Sequence, residues 1–182
     1  MIKKRDMYCK IEQTFLKELD DWSIFQDTIL PHSKYISGNV ILEYFGIKNV
    51  DLFRKQHTHK FFSIPPCRIR YVKITGTGIL QPHRDQDTTV TLNYYISANG
   101  DQTIFYNTIS SDVAPIKTKS YLYILDSLVE IDKFVSNSNE AYLLDVSQIH
   151  AVVKTNPEPR IFISYQWTGC SYDQILKDLN SQ

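Results

Sequence analysis

Two residues that can bind a metal ion stand close together in the middle of the chain. The segment Pro82-His83-Arg84-Asp85 places an imidazole and a carboxylate two residues apart, at the end of a run typical of a β-strand. Residues i and i+2 of an extended chain point to the same side, so His83 and Asp85 are predicted to face one point in space. By itself the pair also fits a surface turn that follows a strand.

A third metal-binding residue lies far along the chain. His150 belongs to the run Ile149-His150-Ala151-Val152-Val153, which is typical of a late strand. In a sheet that folds back on itself, an early and a late strand reach the same cavity. Two histidines and one carboxylate form the facial triad of non-haem Fe(II) oxygenases, which leaves three coordination positions for cosubstrate and O₂. The same residues suit a zinc hydrolase with water as the fourth ligand, so the ligands leave the metal open.

Arg160 favours iron over zinc. It follows the turn at residues 155–159 and begins the next strand-like run. A guanidinium is the natural partner of a carboxylate held at a distance from the metal, through a charge-assisted pair. 2-Oxoglutarate has this form, because one end chelates iron and the other end is a carboxylate. The alternative is an ordinary surface ion pair, for example with Glu158.

Together these residues resemble the 2-oxoglutarate/Fe(II) oxygenases of the prolyl-hydroxylase-like type, over roughly residues 68–167. The resemblance rests on His83 and Asp85, the strand VTLNYYI at 90–96, His150, and Arg160 in RIFISYQW. More narrowly, the segments TLNYYISANGDQTIFYN and AYLLDVSQIHAVVKTNPEPRIFISYQW look like uncharacterised oxygenase homologues of bacteriophage and marine genomes.

The resemblance implies a set of roles. His83, Asp85 and His150 would be the catalytic iron ligands, and Arg160 would bind the distal carboxylate of 2-oxoglutarate beside Tyr95. Further residues on the same strand faces would line the cosubstrate pocket; these are Thr91, Asn93 and Ser164. The implied reaction uses Fe(II) and O₂, converts 2-oxoglutarate to succinate and CO₂, and hydroxylates an amino acid or a peptidyl residue. Two departures are the turn Asn99-Gly100-Asp101-Gln102 in place of a Gly-Gly-Glu-like turn, and a serine four residues after the arginine rather than two.

The hydrophobic pattern predicts the elements that position these residues. Apolar residues recur every three or four positions from Ile11 to Ile29, which predicts one or two helices ending at Pro31. A strand over 40–45 and a short helix from Asn49 to Gln56 are expected next. Eight short strands are then predicted, at 68–75, 79–84, 88–97, 102–107, 120–126, 141–146, 148–154 and 160–167. Such a series indicates an antiparallel double-stranded β-helix of the jelly-roll or cupin type, and a capping box at Ser171 and Gln174 predicts a short closing helix.

Length and composition indicate one domain in a reducing compartment. The 182 residues are expected to divide into an N-terminal helical support region at 1–66 packed on one sheet, a β-helix core at 67–167 and a C-terminal helix at 168–182. Lys+Arg and Asp+Glu both number 20, which gives no electrostatic reason to expect nucleic acid. No signal peptide and no apolar run of membrane-spanning length is visible. Three separated cysteines argue against a disulfide framework, so we expect the cytoplasm, or the host cytoplasm if the protein is viral.

Other functions on the same barrel stay open at this point. One is a cupin-like metal enzyme without 2-oxoglutarate, such as a hydrolase or an isomerase. Another is a structural or binding module that has kept the barrel and lost catalysis. The sequence suggests a small-molecule or peptide substrate, recognised by residues 32–66 and 108–119, and leaves its identity and the oligomeric state undetermined.

Overall fold

A computed structural model of the chain describes residues 6–12, 29–47, 62–117 and 121–181. Within these ranges the chain forms thirteen β-strands and one α-helix, with a short 3₁₀-helix at Leu125–Ser127. The strands are β1 (Tyr8–Ile11), β2 (Ile29–Ser37), β3 (Val40–Ile47), β4 (Arg68–Thr75), β5 (Gly78–Arg84), β6 (Val90–Ser97), β7 (Asn99–Thr108), β8 (Ile116–Lys117), β9 (Tyr121–Leu122), β10 (Leu128–Asn137), β11 (Glu140–Asp145), β12 (Ile149–Lys154) and β13 (Arg160–Trp167). The helix α1 spans Tyr172–Asn180.

Two antiparallel sheets make up the fold. The larger has seven strands in the order β1-β11-β6-β13-β4-β3-β2, and the smaller has six in the order β10-β7-β12-β5-β9-β8. Neighbouring strands are often distant in sequence, as in β5 beside β12 and β4 beside β13. This is the double-stranded β-helix that the strand pattern predicts.

The core between the sheets is apolar at one end and polar at the other. Inward-facing side chains from both sheets form one buried cluster, which includes Val72, Leu80, Phe105, Val152 and Phe162. Strand β6 differs, because its side chains from Val90 to Tyr95 are all buried, including the polar Thr91 and Asn93. Buried polar side chains need hydrogen-bond partners, so this strand faces a polar cavity inside the sandwich.

The outer face of the larger sheet is covered by α1. Ile175 and Leu179 of the helix pack against a cluster that includes Leu92, Ile163 and Trp167 from the sheet. Ser171 caps the helix, and the Ser171 and Gln174 side chains each accept a hydrogen bond from the other's backbone N–H. The predicted closing helix and its capping box are therefore confirmed.

The predicted N-terminal helices are not supported. Ile11 lies in β1, and Ile29 and Pro31 lie in β2, so both ends of the proposed helical segment are strand residues. Its middle, at 13–28, and the proposed helix at 49–56 lie outside the described residues. Pro31 is tolerated because β2 is an edge strand with a register shift between Pro31 and Ser33. Residues 29–47 therefore form a hairpin of the larger sheet rather than a helical support.

The other strands follow the prediction closely, with two omissions and one strand that is shorter than predicted. Strand β8 has no predicted counterpart, and of the strand predicted at 120–126 the described residues form only β9, before the 3₁₀-helix at Leu125–Ser127. Strands β4 and β13 have the predicted bounds, and β3, β5, β6, β7, β11 and β12 differ by a few residues at their ends. Strand β10 was not predicted. It lies at the edge of the smaller sheet, leaves Val129 and Val135 largely exposed, and has two register shifts against β7. Each shift interrupts the alternation of inward and outward residues, which removes the period that identifies a strand.

Candidate metal centre and cosubstrate pocket

The three proposed ligands meet because β5 and β12 are neighbours in the smaller sheet. His83 on β5 is paired directly with His150 on β12, and Asp85 follows two residues after His83. The ring centroids of the two histidines are 4.4 Å apart, and His83 Nε2 is 3.6 Å from Asp85 Oδ1. One ligand atom from each residue lies within 4.8 Å of the others, so the group can hold a metal ion.

Backbone carbonyls orient both imidazoles. His83 Nδ1 is 2.9 Å from the Gln81 carbonyl oxygen, and His150 Nδ1 is 3.0 Å from the Gln148 carbonyl oxygen. A carbonyl only accepts, so each Nδ1 must carry the proton and donate it. Each Nε2 then presents its lone pair toward the common point, as metal ligation requires.

Burial keeps His150 in its metal-binding form. Desolvation, followed by the nearby His83, lowers the pKa of His150 to about 4. The imidazole is therefore neutral at neutral pH, and only a neutral imidazole has a lone pair for a metal.

Arg160 is a buried cation with an incomplete set of partners. The residue is 1% exposed, and its Nη2 donates to the Tyr95 hydroxyl at 2.7 Å and to Thr103 Oγ1 at 2.9 Å. Its Nε and Nη1 have no hydrogen-bond partner, and no salt bridge to it occurs within the described ranges. A buried, unpaired guanidinium is costly, so Arg160 is a candidate binding site for an anion from outside the chain.

One pocket connects Arg160 with the metal ligands. It is a cavity of about 570 Å³, including its open mouth, and its lining includes His83, Asp85, His150 and Arg160. Apolar side chains form much of the wall, among them Val72, Ile74, Leu80, Leu144, Val146, Val152 and Phe162. The cavity thus offers a metal-binding group and a cation to one ligand, between walls that are largely apolar.

A polar cluster lines the same pocket on the larger sheet. Thr91 Oγ1 is 2.7 Å from Ser164 Oγ and donates to Asn93 Oδ1 at 3.0 Å, and Gln166 Nε2 donates to Ser164 Oγ at 3.3 Å. The structure therefore brings Thr91, Asn93 and Ser164 to the pocket wall, where they bond to one another. Of the proposed cosubstrate residues, only Tyr95 contacts Arg160 directly.

Three residues of the site were not predicted from the sequence. Thr103 belongs to no recognisable motif, but it lines the pocket from β7 and its Oγ1 accepts a hydrogen bond from Arg160. Gln166 lies two residues after Ser164 on the same face, so strand alternation would have identified it. Tyr44 lines the pocket from β3, a segment that was predicted as a strand but was given no role in the site.

A buried ion pair anchors the turn that leads to Arg160. Lys154 Nζ lies 2.8 Å from Asp101 Oδ2, and both side chains are fully buried. Lys154 also donates to the Glu158 carbonyl, and Thr155 N donates to Asp101 Oδ1 at 3.2 Å. The pair joins β7 to β12 and holds residues 155–159 immediately before Arg160.

Comparison with known proteins supports the fold. No family model matches the sequence, and no curated protein matches it. The structure of the epimerase SnoN in complex with Fe³⁺, alpha ketoglutarate and nogalamycin RO aligns over 91% of this chain and 80% of its own, with a TM-score of 0.59 and 10% identity. An oxidoreductase of the 2OG-Fe(II) oxygenase family from Burkholderia pseudomallei aligns over 89% of this chain and 84% of its own, with a TM-score of 0.55 and 7% identity. The chain has the fold of these proteins.

At such identities the likeness is one of fold, and the chemistry of this chain depends on its own residues. SnoN was solved with iron and alpha ketoglutarate, which is 2-oxoglutarate, and this chain has a His-Asp-His group that could hold a metal ion. In the parts of the chain that the structure describes, no helix is long and apolar enough to cross a membrane.

Proposed function

We propose that this protein is an Fe(II)- and 2-oxoglutarate-dependent oxygenase that hydroxylates an amino acid or a peptidyl residue. The observation that carries the proposal is the buried Arg160, with two unpaired donor nitrogens, in the same pocket as the group of His83, Asp85 and His150. In a metal hydrolase or isomerase that binds no anion, such a cation would stay buried and unpaired. The fold of the neighbouring oxygenase structures agrees with this assignment.

Charge balance supports a dianionic cosubstrate. Fe(II) with one carboxylate ligand, Asp85, has a formal charge of +1, and Arg160 adds a second positive charge. A ligand with two carboxylates neutralises both, which removes the cost of the buried cation. 2-Oxoglutarate meets this condition and also supplies the keto acid that chelates iron.

Some residues of this chain would hold the metal ion, and others would position the cosubstrate. His83, Asp85 and His150 would hold the metal from one side and leave the other side open. Arg160 would pair with the distal carboxylate, and Tyr95 and Thr103 would fix its guanidinium. Because the Tyr95 hydroxyl accepts from Arg160, its own proton is free to be donated to the same carboxylate.

The bound iron and 2-oxoglutarate would supply the oxidising chemistry, with O₂ as oxidant and succinate and CO₂ as products. The apolar wall around the ligands would keep bulk water away from the reacting atoms. The hydroxyl and amide cluster of Thr91, Asn93, Ser164 and Gln166 would give the cavity its polar side.

Anaerobic titration of the Fe(II)-loaded protein with 2-oxoglutarate tests the proposal. A weak visible metal-to-ligand charge-transfer band should appear and saturate at one equivalent. His150→Ala should abolish the band by removing a ligand, and Arg160→Ala should weaken 2-oxoglutarate binding by about 100-fold, as expected for loss of a buried charge pair. Absence of the band in the wild-type protein would refute the assignment of 2-oxoglutarate.

The variant Lys73→Gln provides the control for charge and stability. Lys73 lies on β4, on the face opposite to Val72 and Ile74, and is not part of the pocket wall. Its removal should leave both the band and the 2-oxoglutarate affinity unchanged. Folded protein in every variant is checked by near-ultraviolet circular dichroism.

A further inference from the structure

Two arginines extend the inner face of β4 beyond the proposed cosubstrate site. Val72 and Ile74 line the pocket, and successive side chains of a strand alternate between its faces, so Arg70 and Arg68 lie on the same face as these two residues. In the register with β13, Ile74 is opposite the deeply buried Arg160, Arg70 is opposite Ser164, and Arg68 is opposite Gln166. Arg68 is exposed and Arg70 is half-buried, so the two arginines lie toward the open end of the pocket.

Arg70 packs against a wall that is shared by two cavities. Its guanidinium carbon is 5.0 Å from the centroid of the Tyr44 ring. Tyr44 lines the pocket that contains Arg160 and also an adjoining pocket that contains Tyr35 and Leu122. His83 and Asp85 line both cavities too, so the Tyr44 ring against which Arg70 packs belongs to the same walls as the metal-binding group, although Arg70 itself lines neither cavity.

The two arginines have no anionic partner in the parts of the chain that the structure describes. None of the described salt bridges includes Arg68 or Arg70. Burial lowers the pKa of Arg70 and the like charge of the neighbouring Arg68 lowers it further, while Tyr44 and Asp85 raise it. Asp85 is close enough to act on Arg70, but its carboxylate is assigned to the metal.

An unpaired buried atom of Gln166 independently indicates a ligand at the end of the pocket near Arg68 and Arg70. The residue is 6% exposed and lines the pocket, and its Oε1 is buried without a hydrogen-bond partner. A buried amide oxygen that lacks a donor costs free energy until a ligand N–H or O–H reaches it. It lies directly across from Arg68 in the strand register.

We infer that the substrate to be oxidised carries a carboxylate, bound by Arg70 and Arg68, next to an N–H group that donates to Gln166. The inference rests on the proposed function and specifies its substrate class. A free amino acid derivative, or the C-terminal residue of a peptide, offers a carboxylate beside an amide N–H. The anion offsets the repulsion between the arginines, and the adjoining cavity with Tyr35 and Leu122 receives the side chain of the substrate.

The test uses a panel of N-acetyl amino acids, each compared with its neutral amide. Binding is followed under anaerobic conditions through the change in the visible band of the Fe(II)- and 2-oxoglutarate-loaded protein. The acids should bind at least about 10-fold more tightly than the matching amides, which is the discrimination expected of a charge-assisted hydrogen bond. Arg70→Gln should remove most of this preference without changing the affinity for 2-oxoglutarate.

Lys73→Gln is the matched control, because it removes one positive charge from the opposite face of the same strand. It should leave the preference for acids unchanged. The inference is overturned if the amides bind as well as the acids, if Arg70→Gln and Lys73→Gln behave alike, or if no acid binds with a Kd below about 10 mM. Absence of the 2-oxoglutarate band itself would instead refute the proposed function, and this inference with it.

Discussion

Replacement of Lys154 by methionine should destabilise the protein far more than replacement of an exposed lysine. The Lys154 and Asp101 side chains are both 0% exposed and their charged atoms are 2.8 Å apart. Lys154→Met keeps the volume of the side chain and leaves the Asp101 carboxylate buried without its cation. Breaking a buried ion pair in this way costs about 3–5 kcal/mol. For a chain of this length that corresponds to a fall in Tm of about 6–20 °C.

Chemical denaturation gives the free energy of unfolding of each variant by linear extrapolation. Lys10→Met is the control, because Lys10 makes an ion pair of similar length, 2.6 Å, with Glu140 but is 48% exposed. Because solvent screens an exposed ion pair, its loss should cost much less than the loss of the buried pair. Adding Asp101→Asn to Lys154→Met removes the unpaired buried charge and keeps an acceptor for Thr155 N, so the double variant should regain about 1–2 kcal/mol.

Two results would refute this reasoning. One is a Lys154→Met variant that is no less stable than Lys10→Met. The other is a double variant that is less stable than Lys154→Met alone. Because the pair holds residues 155–159 before Arg160, Lys154→Met should also weaken 2-oxoglutarate binding in the protein that remains folded.

Two further predictions concern the site. Tyr95→Phe removes the hydroxyl that accepts from Arg160, so 2-oxoglutarate affinity should fall about 3- to 10-fold in the anaerobic titration, and an unchanged affinity would exclude Tyr95 from the cosubstrate site. The metal-free protein should lose stability on acidification, because the pKa of His150 is about 4 in the folded state and its ordinary value is 6.5. Between these two pKa values the unfolded chain takes up a proton at this residue and the folded protein does not, so the free energy of unfolding falls as the pH decreases. Because of His150, the free energy of unfolding measured by denaturation should be about 2 kcal/mol lower at pH 5 than at pH 7. His150→Gln should remove that part of the difference.

The residues on regular strands could be placed from the sequence because the alternation of side chains between the two faces of a strand depends only on neighbouring residues. The two-residue spacing of His83 and Asp85 predicted a common face, and the bounds of β4 and β13 followed from continuous runs between turn residues. The sequence also predicted that an early and a late strand carry the histidines. It could not show that β5 and β12 are paired with His83 opposite His150, because strand register is set by contacts between distant segments.

The partners of the buried charges were not predictable for the same reason. Thr103 on β7 of the smaller sheet reaches Arg160 on β13 of the larger sheet only because the two sheets face one another, and Asp101 on β7 reaches Lys154 on the neighbouring β12 from 53 residues away. Helical spacing of apolar residues before Pro31 predicted a helix, but at Ile11 and Ile29 the pairing with neighbouring strands determines the conformation. Local propensity is a weak guide where an edge strand gains its hydrogen bonds from the sheet.

A comparison of two keto acids tests most directly whether one ligand joins the metal-binding group to Arg160. 2-Oxopentanoate has a methyl group where 2-oxoglutarate has its distal carboxylate, and both can chelate iron through the same atoms. Wild-type Fe(II)-loaded protein should bind 2-oxoglutarate about 100-fold or more tightly than 2-oxopentanoate, as expected for a buried charge pair. Arg160→Gln should bind the two keto acids with nearly equal, weak affinity while its affinity for Fe(II) is unchanged. Equal affinities in the wild-type protein, or a preference that persists in Arg160→Gln, would contradict the proposal that one ligand joins the two.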